Sequence, residues 1–479
     1  MDFDRLINPR VVALIGASND PRRQAYRFLE GWISDKYQGK IYPINPKYKE
    51  ILGLRTYPDI REIPTEEEID YVLIAVPALK VPAEIRKCVE RGGIKFVVIF
   101  ASGFSEIGDK HLEEEILQMA KGNFRVLGPN CIGVYCTESR LGYFTDQPII
   151  SEGDVSFISQ SGTLTRTFIW MSISRGYHIR AAVSIGNMID VSFNELFEYF
   201  MKDPKTRIIA GYLESVGEGQ KFFTLLKSIT PHKPVAILKC GRTPKGKVAA
   251  LSHTGALTGS YEIFSSMVKQ GGGILVESIE ELADVTSGLE YLRNVLPAGK
   301  NIAIINAGGG IAVQITDICE SNGFQVANLE KMTQKTLQDL LPRVNVIIDN
   351  PIDLGASGFN PKILGQAITI ISNDSNIDSI LLVQEIERFH NLDKRFQVPN
   401  IGEAYAEIIQ KHQNPKKPLI VVLSRSWEID QQVPYTLYQK YRKDLLAKRI
   451  PSFPTTQRAL NTLKKLVQYR NFLKNHNAK

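Results

Sequence analysis

VSFISQSGT, at residues 155–163, aligns without a gap on IAIINAGGG, at residues 302–310. In both copies an apolar strand runs into a turn of small residues. A second related pair follows downstream, GNMID at 186–190 and DNPID at 349–353. Each copy therefore has the order strand, small-residue turn, helix, strand and Ile-Asp turn. A duplicated unit of this kind predicts two related flavodoxin-like domains of the α/β class, each built on a parallel sheet.

A third α/β domain precedes the two copies. Apolar strands alternate with helical stretches over the first 140 residues, which predicts a parallel, doubly wound, Rossmann-like sheet. We therefore divide the chain into a Rossmann-like domain at 1–140, a flavodoxin-like domain at 141–296 and a second flavodoxin-like domain at 297–479. The predicted strands of the first domain are 11–15, 40–44, 71–76, 96–100 and 125–127.

Four small-residue turns follow strands of the first domain. The carboxyl edge of an open α/β sheet is where ligands bind. Four turns at one edge favour a binding site, although any single turn is equally well explained as a simple strand end. The first turn is expected to open a helix whose N-terminus holds phosphate. The four turns are Gly16-Ala17-Ser18, Val76-Pro77-Ala78, Ala101-Ser102-Gly103 and Gly128-Pro129-Asn130.

The first turn is not a dinucleotide fingerprint. It lacks the pattern Gly-x-Gly-x-x-Gly, and Asn45-Pro46-Lys47 stands where an acid for the ribose hydroxyls is expected. Lys47 suits a phosphate better than a ribose. An NAD-dependent oxidoreductase is therefore a disfavoured alternative.

The turns of the two copies predict a site for an anion. Ser161-Gly162-Thr163 and Gly308-Gly309-Gly310 each open a helix with residues small enough to leave backbone N–H groups exposed. Each helix start carries about half a positive charge, so two of them facing one point form an anion cage. In a single copy, glycine that permits close packing of helix and sheet is an equally good explanation. The duplication favours the cage.

The stretch at 237–260 holds the one histidine with distinctive surroundings. A strand at 237–239 leads into a glycine turn, a basic loop at 243–247 and a run of small residues around His253. The other six histidines have no recognisable context. We expect His253 to be displayed on a loop, among basic residues that suit a phosphate.

The composition excludes several classes of protein. Residues 440–479 hold eleven Lys or Arg and one acid, so this tail accounts for the net charge of +7 and the body of the chain is no nucleic-acid binder by charge. The tail has amphipathic helical spacing at 458–472. The five cysteines lack the spacing of a zinc or redox site, and we assign no metal site. With no secretory leader and no apolar run that spans a membrane, we expect a cytoplasmic protein.

Eight short motifs between Val11 and about Leu354 share one likeness. Two of them, KCGRT at 239–243 and AALSHTGALTG at 249–259, look like a phosphohistidine loop. Together they resemble the NDP-forming acyl-CoA synthetases, the archaeal-type ADP-forming acetyl-CoA synthetases related to succinyl-CoA synthetase. The other six are VALIGAS (12–18), YPINPK (42–47), GPNCIG (128–133), ISQSGT (158–163), YLES (212–215) and NPIDL (350–354).

The resemblance implies a reaction relayed by phosphohistidine. Acyl-CoA and phosphate give acyl phosphate and CoA, His253 takes the phosphoryl group, and ADP receives it as ATP. Glu214 matches the family glutamate that orients the histidine; a carboxylate on one ring nitrogen fixes the tautomer and leaves the other nitrogen free to attack. The turns at 161–163 and 308–310 match the helix N-termini that hold the phosphate.

The resemblance also implies that the first domain binds coenzyme A. The small carboxylic acid or acyl group is expected near residues 130–135 and 186–188. One departure concerns 22–25, where RRQA replaces a glycine-containing run, so that Arg22 or Arg23 would supply charge to the CoA pyrophosphate. The implied CoA-binding residues are Gly16, Ala17, Ser18, Lys47, Val76, Pro77, Ala78, Ser102, Gly103 and Asn130.

The sequence contains no recognisable ATP-grasp region. The resemblance therefore implies an α subunit that needs an ATP-grasp β subunit to bind ADP or ATP and Mg²⁺, in a hetero-oligomer such as α₂β₂. A non-catalytic CoA-sensing or regulatory subunit built on the same domains is the alternative. The intact Ser-His-Thr-Gly run at 252–255 argues against it.

Overall fold

The described strands are grouped in three large sheets and one short hairpin. The computed structural model describes residues 2–147, 149–254, 259–389, 400–424 and 432–477. The first two sheets lie in one compact unit, Met1–Leu282, and the third lies in another, Ala283–Lys479.

The first sheet has five parallel strands and confirms the predicted doubly wound domain. Its strand order is 40–44, 11–15, 69–74, 94–99, 125–127. The two strands next to each other at its centre are buried along their whole length, as expected of parallel strands covered on both faces. The elements in chain order are α1 (Asp4–Ile7), β1 (Val11–Ile15), α2 (Gln24–Ser34), β2 (Lys40–Ile44), the hairpin β3 (Glu50–Ile51) and β4 (Leu54–Arg55), β5 (Ile69–Ile74), α3 (Val81–Arg91), β6 (Ile94–Ile99), α4 (His111–Ala120) and β7 (Arg125–Leu127).

The second sheet has six strands, of which only the edge strand β8 is antiparallel to its neighbour. That strand lies before the predicted domain boundary at residue 140. The elements are β8 (Gly133–Cys136), β9 (Val155–Ser159), α5 (Gly162–Ser174), β10 (Ile179–Ser184), α6 (Phe193–Lys202), β11 (Ile208–Leu213), α7 (Gly219–Ile229), β12 (Val235–Lys239), α8 (Pro244–Thr254), α9 (Tyr261–Gln270), β13 (Ile274–Val276) and α10 (Ile279–Leu292). Across the sheet the order is β13-β12-β11-β9-β10-β8.

The third sheet belongs to the second unit, and all its pairings are parallel. Its elements are β14 (Asn301–Asn306), α11 (Gly309–Ser321), β15 (Gln325–Val326), α12 (Lys331–Leu340), β16 (Ile352–Asp353), α13 (Pro361–Ser372), β17 (Ser379–Glu385), α14 (Ile401–His412), β18 (Leu419–Ser424), α15 (Gln432–Ala447), β19 (Ser452–Phe453) and α16 (Thr456–Asn477). The order is β15-β14-β17-β18-β19, with β16 also paired to β14. The unit β14-α11-β15 thus repeats β9-α5-β10, as the sequence predicts.

The first long helix begins later than the sequence predicts. We expected Gly16-Ala17-Ser18 to open a helix, but α2 begins at Gln24. Ser18 Oγ accepts a hydrogen bond from Asp20 N (3.0 Å), and the Asp20 carboxylate accepts one from Arg22 N (3.0 Å). Ser and Asp side chains that bind the backbone two residues ahead favour turns over helix. The predicted helix start at Gly16 was therefore wrong.

The predicted basic loop at 243–247 was also wrong, because these residues begin helix α8. Thr243 Oγ1 accepts a hydrogen bond from Gly246 N (3.0 Å), the bond of a helix N-cap, and Pro244 occupies the first helical position, where proline is favoured. Ala249 and Ala250 then continue the helix with the residue of highest helix propensity. The backbone of His253 consequently lies in a helix and not in a loop.

Most of the basic tail forms the long helix α16. Its apolar stripe is buried within the second unit, which confirms the amphipathic pattern. Near its start, the Arg458 guanidinium binds the nearly buried Asp284 carboxylate (2.6 and 2.7 Å). The buried stripe is Leu460, Leu463, Leu466, Val467 and Tyr469.

Two of the exclusions predicted from the sequence concern a membrane-spanning helix and the cysteines. Among the described helices, none combines the length and hydrophobicity needed to cross a membrane. All five cysteines are free thiols, and all but the half-buried Cys240 are buried. Burial raises the pKa of Cys88 and Cys131, to about 12 for Cys131.

Candidate active site

A cleft of about 560 Å³ opens at the carboxyl edge of the first sheet. It is bordered by the turns after β1, β5 and β6 and by the start of α5. The structure thus brings the predicted CoA-binding turns to the first predicted phosphate-binding turn, although these are far apart in the sequence. The predicted site residues that line the cleft are Gly16, Val76, Pro77, Ser102, Asn130, Ser161, Gly162 and Thr163.

Gly16 is a glycine for steric reasons. Its φ is +89°, and a Cβ at this position would lie 2.8 Å from the carbonyl oxygen of Ala75. A side chain would therefore be both strained and too close to the end of the neighbouring strand β5. The glycine lets the chain turn away tightly after β1, next to the cleft.

Five predicted CoA-binding residues do not line the cleft, as far as the described residues show. Ala17 is buried, and its carbonyl accepts a hydrogen bond from Asn45 Nδ2 (2.8 Å). Lys47 is exposed to solvent. Gly103 donates its N–H to the carboxylate of Glu106. The five residues are Ala17, Ser18, Lys47, Ala78 and Gly103.

Arg23 and the first turn of α2 line the cleft in their place. Arg23, Gln24 and Ala25 all contribute to its wall. The Arg22 guanidinium instead binds both carboxylate oxygens of Asp20 at 2.9 Å, and this bond holds the pKa of Asp20 at about 2. The signal for this wall was the RRQA run, the point at which the sequence departs from the family pattern. Of the two arginines, Arg23 is the one that reaches the cleft.

Two serines, Ser159 and Ser161, bind the backbone at the start of α5. Ser161 caps the helix, with its Oγ accepting a hydrogen bond from Leu164 N (3.3 Å). The Ser159 hydroxyl accepts a hydrogen bond from Ser161 N (3.1 Å) and donates one to Ser161 O (2.9 Å). Gly162 and Thr163 follow on the cleft wall. A fixed helix N-terminus on an open polar cleft is the arrangement that binds anions.

Gln160 joins this turn to Glu214, a link that sequence reasoning missed. The Gln160 side chain is buried, and its Oε1 accepts hydrogen bonds from Glu214 N (2.6 Å) and Ser215 N (2.9 Å). Its Nε2 lies 3.2 Å from Ser215 Oγ. The amide therefore ties the end of β9 to the end of β11, and only the adjacency of these strands, which a sequence does not show, reveals it.

Glu214 lies at the carboxyl edge of the second sheet, directly after β11. It is 3% exposed, and one carboxylate oxygen accepts a hydrogen bond from Tyr212 OH (3.0 Å). Burial and the nearby Glu214 carboxylate raise the pKa of Tyr212, so the phenol stays a hydrogen-bond donor. A buried carboxylate at this edge is suited to accept a further N–H from a ring nitrogen.

Helix α8 carries the backbone of His253 and lies in the same compact unit as Glu214. The helix packs beside the short 3₁₀ turn at Ser105–Ile107, which follows β6. The side chain of His253 lies outside the described residues. The pairing of His253 with Glu214 therefore stays a prediction.

The predicted acyl region is built around Asn187. Its backbone N–H donates to Pro129 O (3.0 Å), and its side-chain Nδ2 donates to Glu106 (2.7 Å) and Glu113 (2.9 Å). Burial opposes ionisation of Glu106, but hydrogen bonds from Gly103 and Asn187 outweigh it and lower the pKa of Glu106. The structure thus brings the turns at 128–130 and 186–188 together and adds two carboxylates that the sequence did not indicate. An acyl site near 130–135 and 186–188 stays a prediction.

The second predicted phosphate-binding turn lies in the second unit, so the predicted cage of two helix starts stays a prediction. Helix α11 begins at Gly309, and Gly308 has no side chain to cap it. The buried Asp353 carboxylate lies beside the helix start, where a Cβ on Gly309 would be 3.6 Å from its Oδ2. The Arg388 guanidinium donates to Ala307 O. The adjacent cavity measures only about 20 Å³.

Two family models match the chain. Residues 10–137 match a CoA binding domain, and residues 152–289 match a flavodoxin domain like that of succinyl-CoA ligase. These ranges contain the cleft and the network around Glu214. They confirm the predicted fold class.

Relatives of known name extend the match. The α subunit of ADP-forming acetate–CoA ligase II from Pyrococcus furiosus is 33% identical over 88% of this chain and 89% of its own length. The ADP-forming acetate–CoA ligase of Methanocaldococcus jannaschii is 36% identical over 72% of this chain and 48% of its own length.

A solved structure agrees with these relatives. It is that of the dinucleotide-forming acetyl-CoA synthetase 1 of Ca. Korarchaeum cryptofilum in complex with phosphate and ADP. Its TM-score to this chain is 0.82, with 30% identity and 99% of both chains covered. The resemblance that the sequence motifs indicated is thus confirmed. The chain belongs to the family of ADP-forming acetate–CoA ligase α subunits.

Proposed function

We propose that this chain performs the acyl-CoA half of an ADP-forming acyl-CoA synthetase reaction and carries the phosphoryl group on His253. The observation that carries the proposal is the shared cleft: the wall predicted to bind CoA and the Ser161 helix start border one cavity. Phosphate attacks the thioester carbonyl of the acyl-CoA, CoA leaves as the thiol, and an acyl phosphate forms. His253 then takes the phosphoryl group, which releases the carboxylic acid, and ADP receives it as ATP.

Coenzyme A is proposed to lie against the first domain. Gly16, Val76, Pro77, Ser102 and Asn130 border the cleft, and the exposed guanidinium of Arg23 is suited to pair with a phosphate group of CoA. The five predicted residues off this wall, Ala17, Ser18, Lys47, Ala78 and Gly103, stay predictions. These five residues lie in the segments that follow β1, β2, β5 and β6, at the same edge of the first sheet as the cleft.

Inorganic phosphate is proposed to bind at the N-terminus of α5. The backbone of Gly162 and the hydroxyls of Ser161 and Thr163 offer donors to a charged intermediate, and fixed donors of this kind stabilise developing charge. Residues 308–310 are proposed as the second helix start. We expect the first start to contribute more binding energy, because the Asp353 carboxylate already lies beside the second.

His253 is proposed as the nucleophile and Glu214 as the residue that orients it. A carboxylate that accepts the N–H of one ring nitrogen leaves the lone pair of the other available for attack on phosphorus. It also stabilises the positive charge that the ring acquires on phosphorylation. The burial of Glu214 and its bond to Tyr212 hold the carboxylate in one place for this task.

A separate ATP-grasp β subunit is proposed to bind ADP or ATP with Mg²⁺. The designation of the Pyrococcus furiosus relative as an α subunit supports a partner chain. An α₂β₂ assembly, a small carboxylic acid as substrate and a cytoplasmic location are further parts of the proposal.

The test is phosphorylation of the chain by acetyl-CoA and ³²P-labelled phosphate. His253→Ala is expected to lower the acid-labile, base-stable label by about 10³-fold or more, since it removes the nucleophile itself. His232→Ala, at an exposed position before β12, is the matched control and should leave the label unchanged. Label that survives in His253→Ala would contradict the role of His253, and tight CoA binding without any label would favour a non-catalytic CoA-sensing subunit. ATP formation by the chain alone would contradict the separate nucleotide-binding partner.

A further inference from the structure

Lys239 places a buried ammonium group next to Glu214. The residue is the last of β12 and is 1% exposed. Its Nζ donates hydrogen bonds to Glu214 O (2.8 Å) and Cys240 O (2.6 Å) and lies 5.8 Å from the centre of the Phe264 ring. Within the described part of the chain, both hydrogen bonds of this ammonium go to main-chain carbonyls. A buried cation without a hydrogen-bonded carboxylate is costly, which indicates that its charge has a use.

Few charges of the described residues surround Lys239. The titratable groups within electrostatic range are Glu214 after β11, the adjacent Cys240, and Lys247 on α8; Tyr212 in turn faces Glu214 and Cys240. Among these described groups, Glu214 is the only carboxylate. The positive charge of Lys239 therefore acts mainly on the residue proposed to orient His253.

We propose that Lys239 is a positioning residue that fixes the main chain of Glu214 and places a positive charge beside its carboxylate. The first role follows from the hydrogen bonds, which join the ends of β11 and β12, as Gln160 joins the ends of β9 and β11. The second follows from its position, because opposite charges interact more strongly in a buried site than in water. The inference rests on the proposed role of Glu214.

Lys233 shows what a merely structural lysine looks like in the same sheet. It precedes β12 at the opposite, amino edge, and its Nζ also donates to two main-chain carbonyls, Phe200 O (3.1 Å) and Asp203 O (2.7 Å). It is only partly buried. Removing either lysine breaks the same kind of hydrogen bond, but only Lys239 lies near Glu214. Lys233 is therefore a matched control for loss of stability alone.

The experiment is the pH dependence of ³²P labelling from acetyl-CoA and phosphate, measured on the full chain purified with its partner. Lys239→Gln, which keeps donors for the carbonyls but has no charge, should move the acid limb of the profile to higher pH by about one unit, the usual effect of one nearby opposite charge. Lys239→Arg should keep the acid limb where the wild-type chain has it. Burial lowers the pKa of Lys239, so the wild-type ammonium loses its charge at the alkaline end, where Lys239→Arg should extend the profile.

Lys233→Gln should leave both limbs in place, whatever it does to stability. A Lys239→Gln chain that folds, is labelled and keeps the wild-type acid limb would overturn the inference while leaving the proposed function intact. An acid limb displaced equally in Lys239→Arg and Lys239→Gln would also overturn it, because geometry and not charge would then decide. Absence of label on the wild-type chain would instead overturn the proposed function. Should Lys239→Gln fail to fold, Lys239→Met gives the same comparison with Lys239→Arg.

Discussion

The two copies of the strand-turn-helix unit share a backbone plan but differ at the carboxyl edge. In the first copy the turn carries the side chains of Gln160, Ser161 and Thr163 and borders a cleft of about 560 Å³. In the second copy the matching positions are Ala307 and the glycines at 308–310, and the neighbouring cavity measures about 20 Å³. Both copies thus have a helix start at this position, and in the first copy the side chains of Gln160 and Ser161 also bind backbone N–H groups there.

The aspartates of the two Ile-Asp segments, Asp190 and Asp353, also have different partners. In the first copy, the Asp190 carboxylate binds the Arg125 guanidinium (2.8 and 2.9 Å) and accepts a hydrogen bond from Val126 N (2.7 Å). Asp190 is therefore bound to the last strand of the first sheet, β7. Asp353 of the second copy accepts from Gly355 N (2.9 Å) and lies beside the start of α11. A carboxylate there stabilises the helix and competes with an external anion. The matching acids therefore have different partners: Asp190 binds the first sheet, whereas Asp353 lies beside the start of α11.

The largest expected effect concerns the Ile-Asp segment of each copy, at residues 186–190 and 349–353. Gly186 has φ +53°, and a Cβ there would overlap the carbonyl oxygen of Pro129. Gly186→Ala should lower the free energy of unfolding by about 2–4 kcal/mol, from backbone strain together with overpacking. The matching Asp349→Ala, at an exposed position of the second copy, should cost less than about 0.5 kcal/mol. Urea unfolding measures both, and equal costs would show that the two turns are packed alike.

The second prediction tests the side-chain hydrogen bonds made at the end of the first strand of each copy. Gln160→Ala leaves the buried N–H groups of Glu214 and Ser215 without their acceptor, and we expect a loss of about 2–3 kcal/mol in the free energy of unfolding. In the second copy the corresponding link comes from the partly exposed Arg388, and Arg388→Ala should cost about 0–1 kcal/mol. Thermal unfolding with ³²P labelling checks both. Full labelling of a stably folded Gln160→Ala chain would contradict the link between the phosphate turn and Glu214.

Much of the fold was predictable because its signals are local. The buried strands of the first sheet are continuous apolar runs, and the duplication is visible as an ungapped alignment, so the α/β class and the carboxyl-edge turns followed from the sequence alone. Helix starts were less predictable. Ser18 and Asp20 form side-chain bonds that delay α2, and Thr243 with Pro244 starts α8 earlier than a glycine-rich, basic stretch indicates.

The candidate site was predictable only in its individual turns. The sequence indicated Ser161 and Asn130 separately, but that they border one cleft depends on how the first two sheets pack. Gln160 and Lys239 stood inside recognised motifs and still gave no signal, because most of their partners are main-chain atoms at the ends of strands. A residue pattern does not reveal contacts with main-chain atoms. The departure from the family pattern at 22–25 indicated Arg22 or Arg23, because charged residues stand there in place of a glycine-containing run. Of the two, Arg23 lines the cleft.

The smallest expected effect concerns the two helix starts themselves. Ser161→Ala removes the side chain that caps α5 and should lower the free energy of unfolding by about 1 kcal/mol. Gly308→Ser offers α11 a cap at a residue with extended backbone (φ 161°), where the nearest atom to a Cβ is the flexible Arg388 Nη1 at 3.1 Å, and should gain a few tenths of a kcal/mol. The KM for phosphate in the labelling reaction should rise several-fold in Ser161→Ala and change little in Gly308→Ser. The reverse order of KM effects would place the dominant anion contact at the second copy, and the acid beside α11 would then have to be displaced when phosphate binds.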